Sequence, residues 1–197
     1  MIITVSSFKG GVGKTTTAIH IAAYLQTKGE TILADGDLNR SATSWAQRGE
    51  APFKVFDQDD IDEAGDFEHM VIDTPARPSD KALIALADSC DLLVLPTTPT
   101  TFAMEAVVQT LDTLESIDSN KYRILMTVCP PPPSKEAEKA QESLSKAGLS
   151  VFKTRVRRYA VYQRAENLGV TVKDVKGDRY AGIAWKDYTA VGREILK

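Results

Sequence analysis

The sequence predicts an α/β fold: a mainly parallel central sheet of about seven strands with helices on both faces. Three observations carry this reading. Short apolar runs rich in β-branched residues, without polar alternation, recur along the chain. Each is followed by a longer segment with helical spacing. The first run passes through a glycine-rich turn straight into a helix. Strands buried on both faces need continuous apolar runs, and parallel neighbours need helical crossovers.

The elements follow in order. Residues 2–6 form a buried strand, and the helix over 14–28 stops at Gly29. Residues 31–35 form the second strand, and Ser41 caps a short helix through Arg48. A third strand covers 53–56. The stretch 57–68 carries Asp57, Asp59, Asp60, Asp62, Glu63, Asp66 and Glu68, and reads as a solvated connection with one helical turn. Strand 69–73, helix 79–87 and strand 92–95 come next, the last ended by Pro96. A helix spans 102–117 and a strand 123–129. The prolines from Pro130 to Pro133 can continue neither element and form a rigid loop. Helix 134–147, strand 151–156 and helices 159–168 and 182–196 complete the chain. With no repeat and no linker, residues 1–197 read as one domain.

Composition agrees. Of 197 residues, 43% are apolar and 26% charged, which excludes collagen-like, mucin-like and wholly disordered chains. The net charge of -3 gives no global attraction to nucleic acid, so any such binding needs a local patch. Cys90 and Cys129 lack a CxxC neighbour and read as reduced core thiols of a cytosolic protein. The N-terminus has no basic region before a long apolar stretch, and no run approaches about 18 apolar residues. Neither a signal peptide nor a membrane span is expected.

The sharpest feature is Ser7-Phe8-Lys9-Gly10-Gly11-Val12-Gly13-Lys14-Thr15-Thr16, between the first strand and the first long helix. Strand, glycine-rich turn and helix are the context of a phosphate-binding loop. Glycines let successive N–H groups face one anion, and the helix N-terminus adds partial positive charge. Lys14 would reach the β- and γ-phosphates, and the Thr15 hydroxyl would sit on Mg²⁺. Phe8 stands where the general GxxxxGK[ST] pattern has its first glycine, and a second lysine, Lys9, precedes the glycine pair. Asp35 and Asp73 end buried strands; each could cap its following turn or converge on the mouth of the loop. There Asp73 would hold a water of the Mg²⁺ shell.

The form KGGxGK[ST] resembles the deviant Walker loop of the ParA/MinD ATPases. So do Ala34-Asp35-Gly36-Asp37-Leu38-Asn39, which is similar to the family's DxDPQ segment, and His69 to Pro75, which resembles its second Walker strand and switch. Leu92 to Pro96 and the following Thr97 to Pro99 resemble its next strand and loop. Leu38 and Asn39 depart from the usual Pro and Gln. The resemblance covers roughly 1–130 and implies a P-loop ATPase of the short ParA type, using ATP and Mg²⁺. It implies that Asp37 orients the attacking water, that Asp35 supports the metal shell, and that Lys9 crosses a dimer interface to the partner's nucleotide. Lys9, Lys14 and Asp37 are then the catalytic set, residues 9–16 the nucleotide cradle, and Thr15, Asp35 and Asp73 the metal set. For the adenine, Thr127, the loop beginning at Pro130 and the segment after Thr154 stay open.

Residues 153–164 carry five cations, Lys153, Arg155, Arg157, Arg158 and Arg164, and no anion. They form either a solvated face paired with the acidic 57–68 segment or a DNA-phosphate surface, which the resemblance favours. The implied function is an ATP-dependent homodimer that binds DNA nonspecifically in the bacterial cytoplasm. It would position a cargo: a plasmid, a chromosome region or a protein organelle such as a carboxysome. A ParB-like or small adaptor protein would stimulate hydrolysis. The rivals are a MinD-like membrane-associated ATPase, a small-molecule kinase of the dethiobiotin-synthetase kind, and an iron-protein-like cluster carrier. The last helix is interrupted by acidic residues and Gly192, which argues against a membrane anchor. With the first strand starting at Ile2, no helix-turn-helix extension is expected.

Overall fold

The computed structural model describes residues 1–115 and 120–197. The strands are β1 (Ile2–Ser7), β2 (Thr31–Asp35), β3 (Lys54–Asp57), β4 (His69–Ala76), β5 (Leu92–Thr97), β6 (Tyr122–Cys129) and β7 (Val151–Arg157). They form one sheet in the order β3-β2-β4-β1-β5-β6-β7, and every pairing is parallel. The helices are α1 (Lys14–Leu25), α2 (Ser41–Arg48), α3 (Asp80–Ser89), α4 (Thr101–Glu115), α5 (Glu136–Lys146), α6 (Val161–Leu168) and α7 (Ala181–Ile195). Single 3-10 turns cover Gln58–Glu63 and Val172–Asp174. The end of the helix expected over 102–117 lies outside the described residues.

Alternation along each strand builds two cores. Ile3, Val5, Val94 and Leu125 face α1, Trp45 of α2, and α7, while Leu93, Leu95, Ile124 and Met126 face α3, α4 and α5. Both faces are therefore apolar, which is why the strand runs lack polar alternation. At Gly192 a Cβ would stand 2.0 Å from the Tyr24 ring, so this glycine lets α7 close onto α1. The apolar side of α7, with Tyr188, Val191 and Ile195, is buried there.

Several boundaries differ from expectation for identifiable reasons. Helix α1 ends at Leu25, because the Thr27 hydroxyl takes the Tyr24 carbonyl and the turn tightens before Gly29. Ser41 is the first helical residue of α2 rather than its cap. The cap position belongs to Arg40, whose backbone is left-handed (φ 51°), and the Asp35 carboxylate takes the amide of Thr43. Pro96 does not end β5. Pairing with β1 stops at Val94, so β5 beyond it has a neighbour only in β6, and the missing proline N–H breaks no β1 bond.

Behind the first loop, α1 is locked to the C-terminal region through His20. Its Nδ1 donates to Thr16 O at 2.7 Å, and its Nε2 accepts the Val172 N–H at 3.1 Å. The ring stacks on Tyr188, with centroids 4.8 Å apart. The Thr17 and Tyr188 hydroxyls, 3.0 Å apart, add a second tie. Burial lowers the His20 pKa to about 4, against a weaker upward pull from the Thr16 carbonyl. A proton on Nε2 would oppose the Val172 N–H.

The unfolded chain takes up this proton near pH 6.5, whereas the folded chain does so only near 4. The His20 contribution is therefore complete above pH 6.5, declines as pH falls, and is gone below 4, about 3 kcal/mol in all. Urea unfolding of the parent and of His20→Phe at pH 7 and pH 4.5 should show a much steeper loss for the parent. Equal losses would mean that His20 does not carry this pH dependence.

Candidate functional site

All seven strand ends point to one edge of the sheet, and the site forms where β1, β2 and β4 terminate. The loop from Ser7 to Lys14 turns through left-handed Gly11 (φ 76°) and Gly13 (φ 79°), conformations that glycine adopts without steric cost. Buried Val12 anchors it, and the Thr127 hydroxyl donates to Val12 O at 2.7 Å and to Thr97 O at 3.0 Å. Thr127 thus buckles the loop to β5 and β6.

At the head of α1, Lys14 is only 8% exposed. Its Nζ lies 2.8 Å from Asp73 Oδ1 and 3.0 Å from Asp37 Oδ2. Asp37 is fixed by the Asn39 amide and side-chain Nδ2, each 3.0 Å from Oδ1. Burial alone would push the Asp37 carboxyl up, but the Asn39 amide and Lys14 together hold it below the ordinary carboxylate range. Burial wins at Asp73 and raises it despite Lys14. The other Asp73 oxygen, Oδ2, is buried without a hydrogen-bond partner.

Asp35, expected to support the metal shell, also ties local backbone together. Its Oδ2 accepts from both the amide and the hydroxyl of Thr43 at 2.8 Å, and its Oδ1 accepts the Asp37 amide at 3.2 Å. It positions the Asp37 loop and starts α2. The Gly36 amide donates to Asp73 O at 2.8 Å, joining the two strand ends. Three buried carboxylates gather here, two of them share the Lys14 ammonium, and one carboxylate oxygen is unsatisfied, which fits a divalent cation. Thr15 lies beside this group and pulls Asp73 weakly downward.

Two cavities flank the loop. One, about 330 Å³, is bordered by the residues from Lys9 to Thr16, except Val12, and by Asp37, Asn39 and Ala76. The other, about 530 Å³, opens beyond Gly13 and Thr16 where β6 and β7 end. Tyr162 and Glu166 border both. Their combined size suits a nucleotide. The second cavity owes its shape to Val128, a β-branched residue in a left-handed conformation (φ 51°), which breaks the β6–β7 register. Of the three candidates for the adenine, Thr127 and the segment after Thr154, through Val156 to Ala160, border this cavity, and Pro130 does not. Lys9 lies with its Nζ 5.8 Å from the centre of the Phe102 ring, and Phe102 is 76% exposed.

The basic stretch is not one surface. Arg157 makes a two-pronged ion pair with Asp187 (2.5 and 3.0 Å), Arg164 pairs with Asp178 (2.6 Å), and Arg155 donates to Gln141 (2.6 Å). Its counterions therefore come from α7 and the preceding loop, not from residues 57–68. Arg157 and Arg158 border the larger cavity, as does Tyr159. Lys153 and Arg158 are exposed and lack a carboxylate partner among the described residues. Tyr162, Glu166 and Phe102 were not singled out from sequence as site residues. For Tyr162 and Glu166 the available signal was their place on the helix that follows the end of β7 at Arg157, since parallel sheets bind ligands at that edge.

Comparison with known proteins agrees with this geometry. The model of the CobQ/CobB/MinD/ParA nucleotide binding domain matches residues 3–188. A maintenance of carboxysome distribution protein A from Gloeobacter kilaueensis is 33% identical over 98% of this chain and 93% of its own. A ParA protein from Rhizobium radiobacter is 28% identical over 92% of this chain and 90% of its own. In fold, the chain resembles a plasmid partition protein from Borrelia burgdorferi solved with AMPPNP, at a TM-score of 0.74 and 17% identity, over 99% of this chain and 98% of the other.

Removing Lys14 strands two buried carboxylates. Lys14→Ala should destabilise the nucleotide-free protein by about 3 kcal/mol at pH 7. With the ammonium gone, Asp37 and Asp73 hold protons to higher pH in the folded state than in the unfolded chain. Acid therefore favours the folded variant, and the gap to the parent should narrow toward pH 4.5. Denaturant midpoints at both pH values test this; a constant gap would show that the carboxylates do not depend on Lys14.

Proposed function

The chain belongs to the CobQ/CobB/MinD/ParA family of nucleotide-binding domains and is a ParA-like ATPase by family, and on that premise we propose that it hydrolyses ATP to position a cargo along DNA. Residues 1–197 act as one ParA-like domain. The observation that supports this reading most is the buried Lys14, held between Asp37 and Asp73 at the head of a glycine loop.

The chemistry follows from charge. Phosphoryl transfer to water needs positioning and charge stabilisation more than covalent help. The loop N–H groups and Lys14 take the β- and γ-phosphates of ATP. Thr15 and Asp73 would hold Mg²⁺, which supplies positive charge to the phosphate oxygens when bound. Once Lys14 turns to phosphate, Asp37 loses its counterion and becomes an acceptor for the attacking water. Asp35 and Asn39 keep Asp37 in place. Lys9, on the rim and packed only on an exposed ring, is free to reach a partner's nucleotide across an ATP-dependent dimer. The base occupies the larger cavity between Val128 and Tyr159.

The cargo is of the class handled by the relatives, a carboxysome or a plasmid, with an adaptor protein stimulating turnover. Among the described residues no helix is long and apolar enough to cross a membrane, and the apolar side of α7 is covered by α1 and β7. DNA phosphates contact Lys153 and Arg158, the two cations of the basic stretch without a side-chain partner; Arg157 serves the fold through Asp187.

Three variants divide these roles. Asp37→Ala should bind ATP yet release phosphate at least about tenfold more slowly than the parent. Parent-level phosphate release by this variant would remove Asp37 from the reaction. Lys9→Ala should bind nucleotide as a monomer, and light scattering with ATP should find no dimer. Lys153→Glu with Arg158→Glu should weaken duplex binding for every sequence and lower the salt slope by about one unit per lost contact. Arg157→Glu should instead lower the melting temperature. Unchanged DNA affinity in the double variant at two salt concentrations would retire this surface.

A further inference from the structure

Lys9 and Lys14 border the phosphate cavity, Arg40 and Arg77 directly follow two residues that border it, Asn39 and Ala76, and three of these four cations are already engaged. Lys14 is shared by Asp37 and Asp73, Arg40 pairs with Asp57, and Lys9 lies over Phe102. The fourth is Arg77, four residues beyond Asp73. Its side chain is exposed and has neither a hydrogen bond nor an ion pair among the described residues. Its neighbour Ala76 is in register with Ser7, the first residue of the loop, and borders the phosphate cavity.

The backbone of Arg77 is unusual. Its φ is +58°, and its N–H turns back to Ser7 O at 2.9 Å. Pro78 follows, which further restricts the preceding residue. Glycine would meet this conformation without a steric penalty, so an arginine here is held against its own preference. The bond to Ser7 needs only the backbone and would survive in glycine. What arginine adds is the guanidinium, a planar fork matched to phosphate oxygens.

The charge of the mouth says where that fork is needed. Lys14 already answers two of the three buried carboxylates, Asp35, Asp37 and Asp73. A triphosphate adds several negative charges to this excess, and its terminal group enters at the mouth, beside Asp37 and Ala76. We propose that Arg77 binds the γ-phosphate of the nucleotide held by its own chain and so distinguishes a nucleoside triphosphate from a diphosphate. This rests on the phosphate-loop reading above. It assigns the guanidinium to the ground-state complex as well as to the reaction.

The test is nucleotide titration of the full chain with Mg²⁺, using ADP and the non-hydrolysable β,γ-imido analogue of ATP. Two variants separate charge from backbone. Arg77→Gly removes the fork and relieves the left-handed conformation; Arg77→Gln removes the charge and keeps that conformation. Both should bind ADP as the parent does and bind the triphosphate analogue about tenfold more weakly or worse. Arg77→Gly should melt no lower than the parent. Triphosphate affinity within twofold of the parent in either variant would overturn the proposal. So would an equal loss of both nucleotides with a lowered melting temperature, which marks a structural residue. A parent that binds neither nucleotide would instead overturn the phosphate-loop reading itself, and this proposal with it.

Discussion

The Lys14 ammonium between Asp37 and Asp73 is the interaction on which the rest of the site depends. It joins the head of α1 to the ends of β2 and β4 with two bonds of 3.0 and 2.8 Å, largely out of water. A buried ion pair is stable only when each charge is answered, and here the answer is incomplete. Two carboxylates meet one ammonium with the Asp35 carboxylate paired in register beside them, Asp73 is pushed up by burial, and its Oδ2 has no partner. The cluster is short of positive charge even before a phosphate arrives. An anion entering the loop would compete with Asp37 for Lys14, and a divalent cation, on the proposed reading, would answer the carboxylates that the phosphate deprives of Lys14.

This arrangement needs the sheet and, less obviously, the far end of the chain. Asp35 and Asp73 are paired across β2 and β4, so parallel register alone brings them to one edge. The loop is then fixed from both sides. Thr127 holds Val12 from β6, while α1 is gripped through His20, Thr17 and Tyr24 by residues beyond 170. Tyr188 and Gly192 are far from the loop in sequence, yet they set the height of the helix that carries Lys14. Substitutions in α7 that disturb this packing should reach the site without touching a ligand.

What was legible in the sequence was local. The loop, Lys14 and the strand-ending aspartates fall within strand–turn–helix units, where spacing along the chain is also spacing in space. The βα rhythm located every strand for the same reason. What was not legible depended on distant partners. A run of five cations looked unneutralised because Asp187 and Asp178 lie 30 and 14 residues away from their arginines. The tie from Asp35 to Thr43 was hidden because Thr43 follows the next turn. Val128, Arg40 and Arg77 take left-handed backbones that nothing in their side chains announces. Pro96 stopped the strand only on paper, because strand pairing on the β1 side had already ended.

The segment after β7 shows why a charge run and a surface are different things. Successive residues of a strand face opposite ways, so β7 gathers three of the five cations on one side, and it is their different partners that divide the run. Phe152 and Val156 enter the core while Lys153, Arg155 and Arg157 stand on the other side. Of these, Arg157 is drawn down to Asp187 and borders the larger cavity together with Arg158 and Tyr159. The stretch that best fits DNA by composition is therefore also a wall of the cavity proposed for the base. A base in that cavity would press on the link between β7 and α6, directly beside Arg158. Of the exposed cations in the run, Arg158 stands on this wall and Lys153 does not.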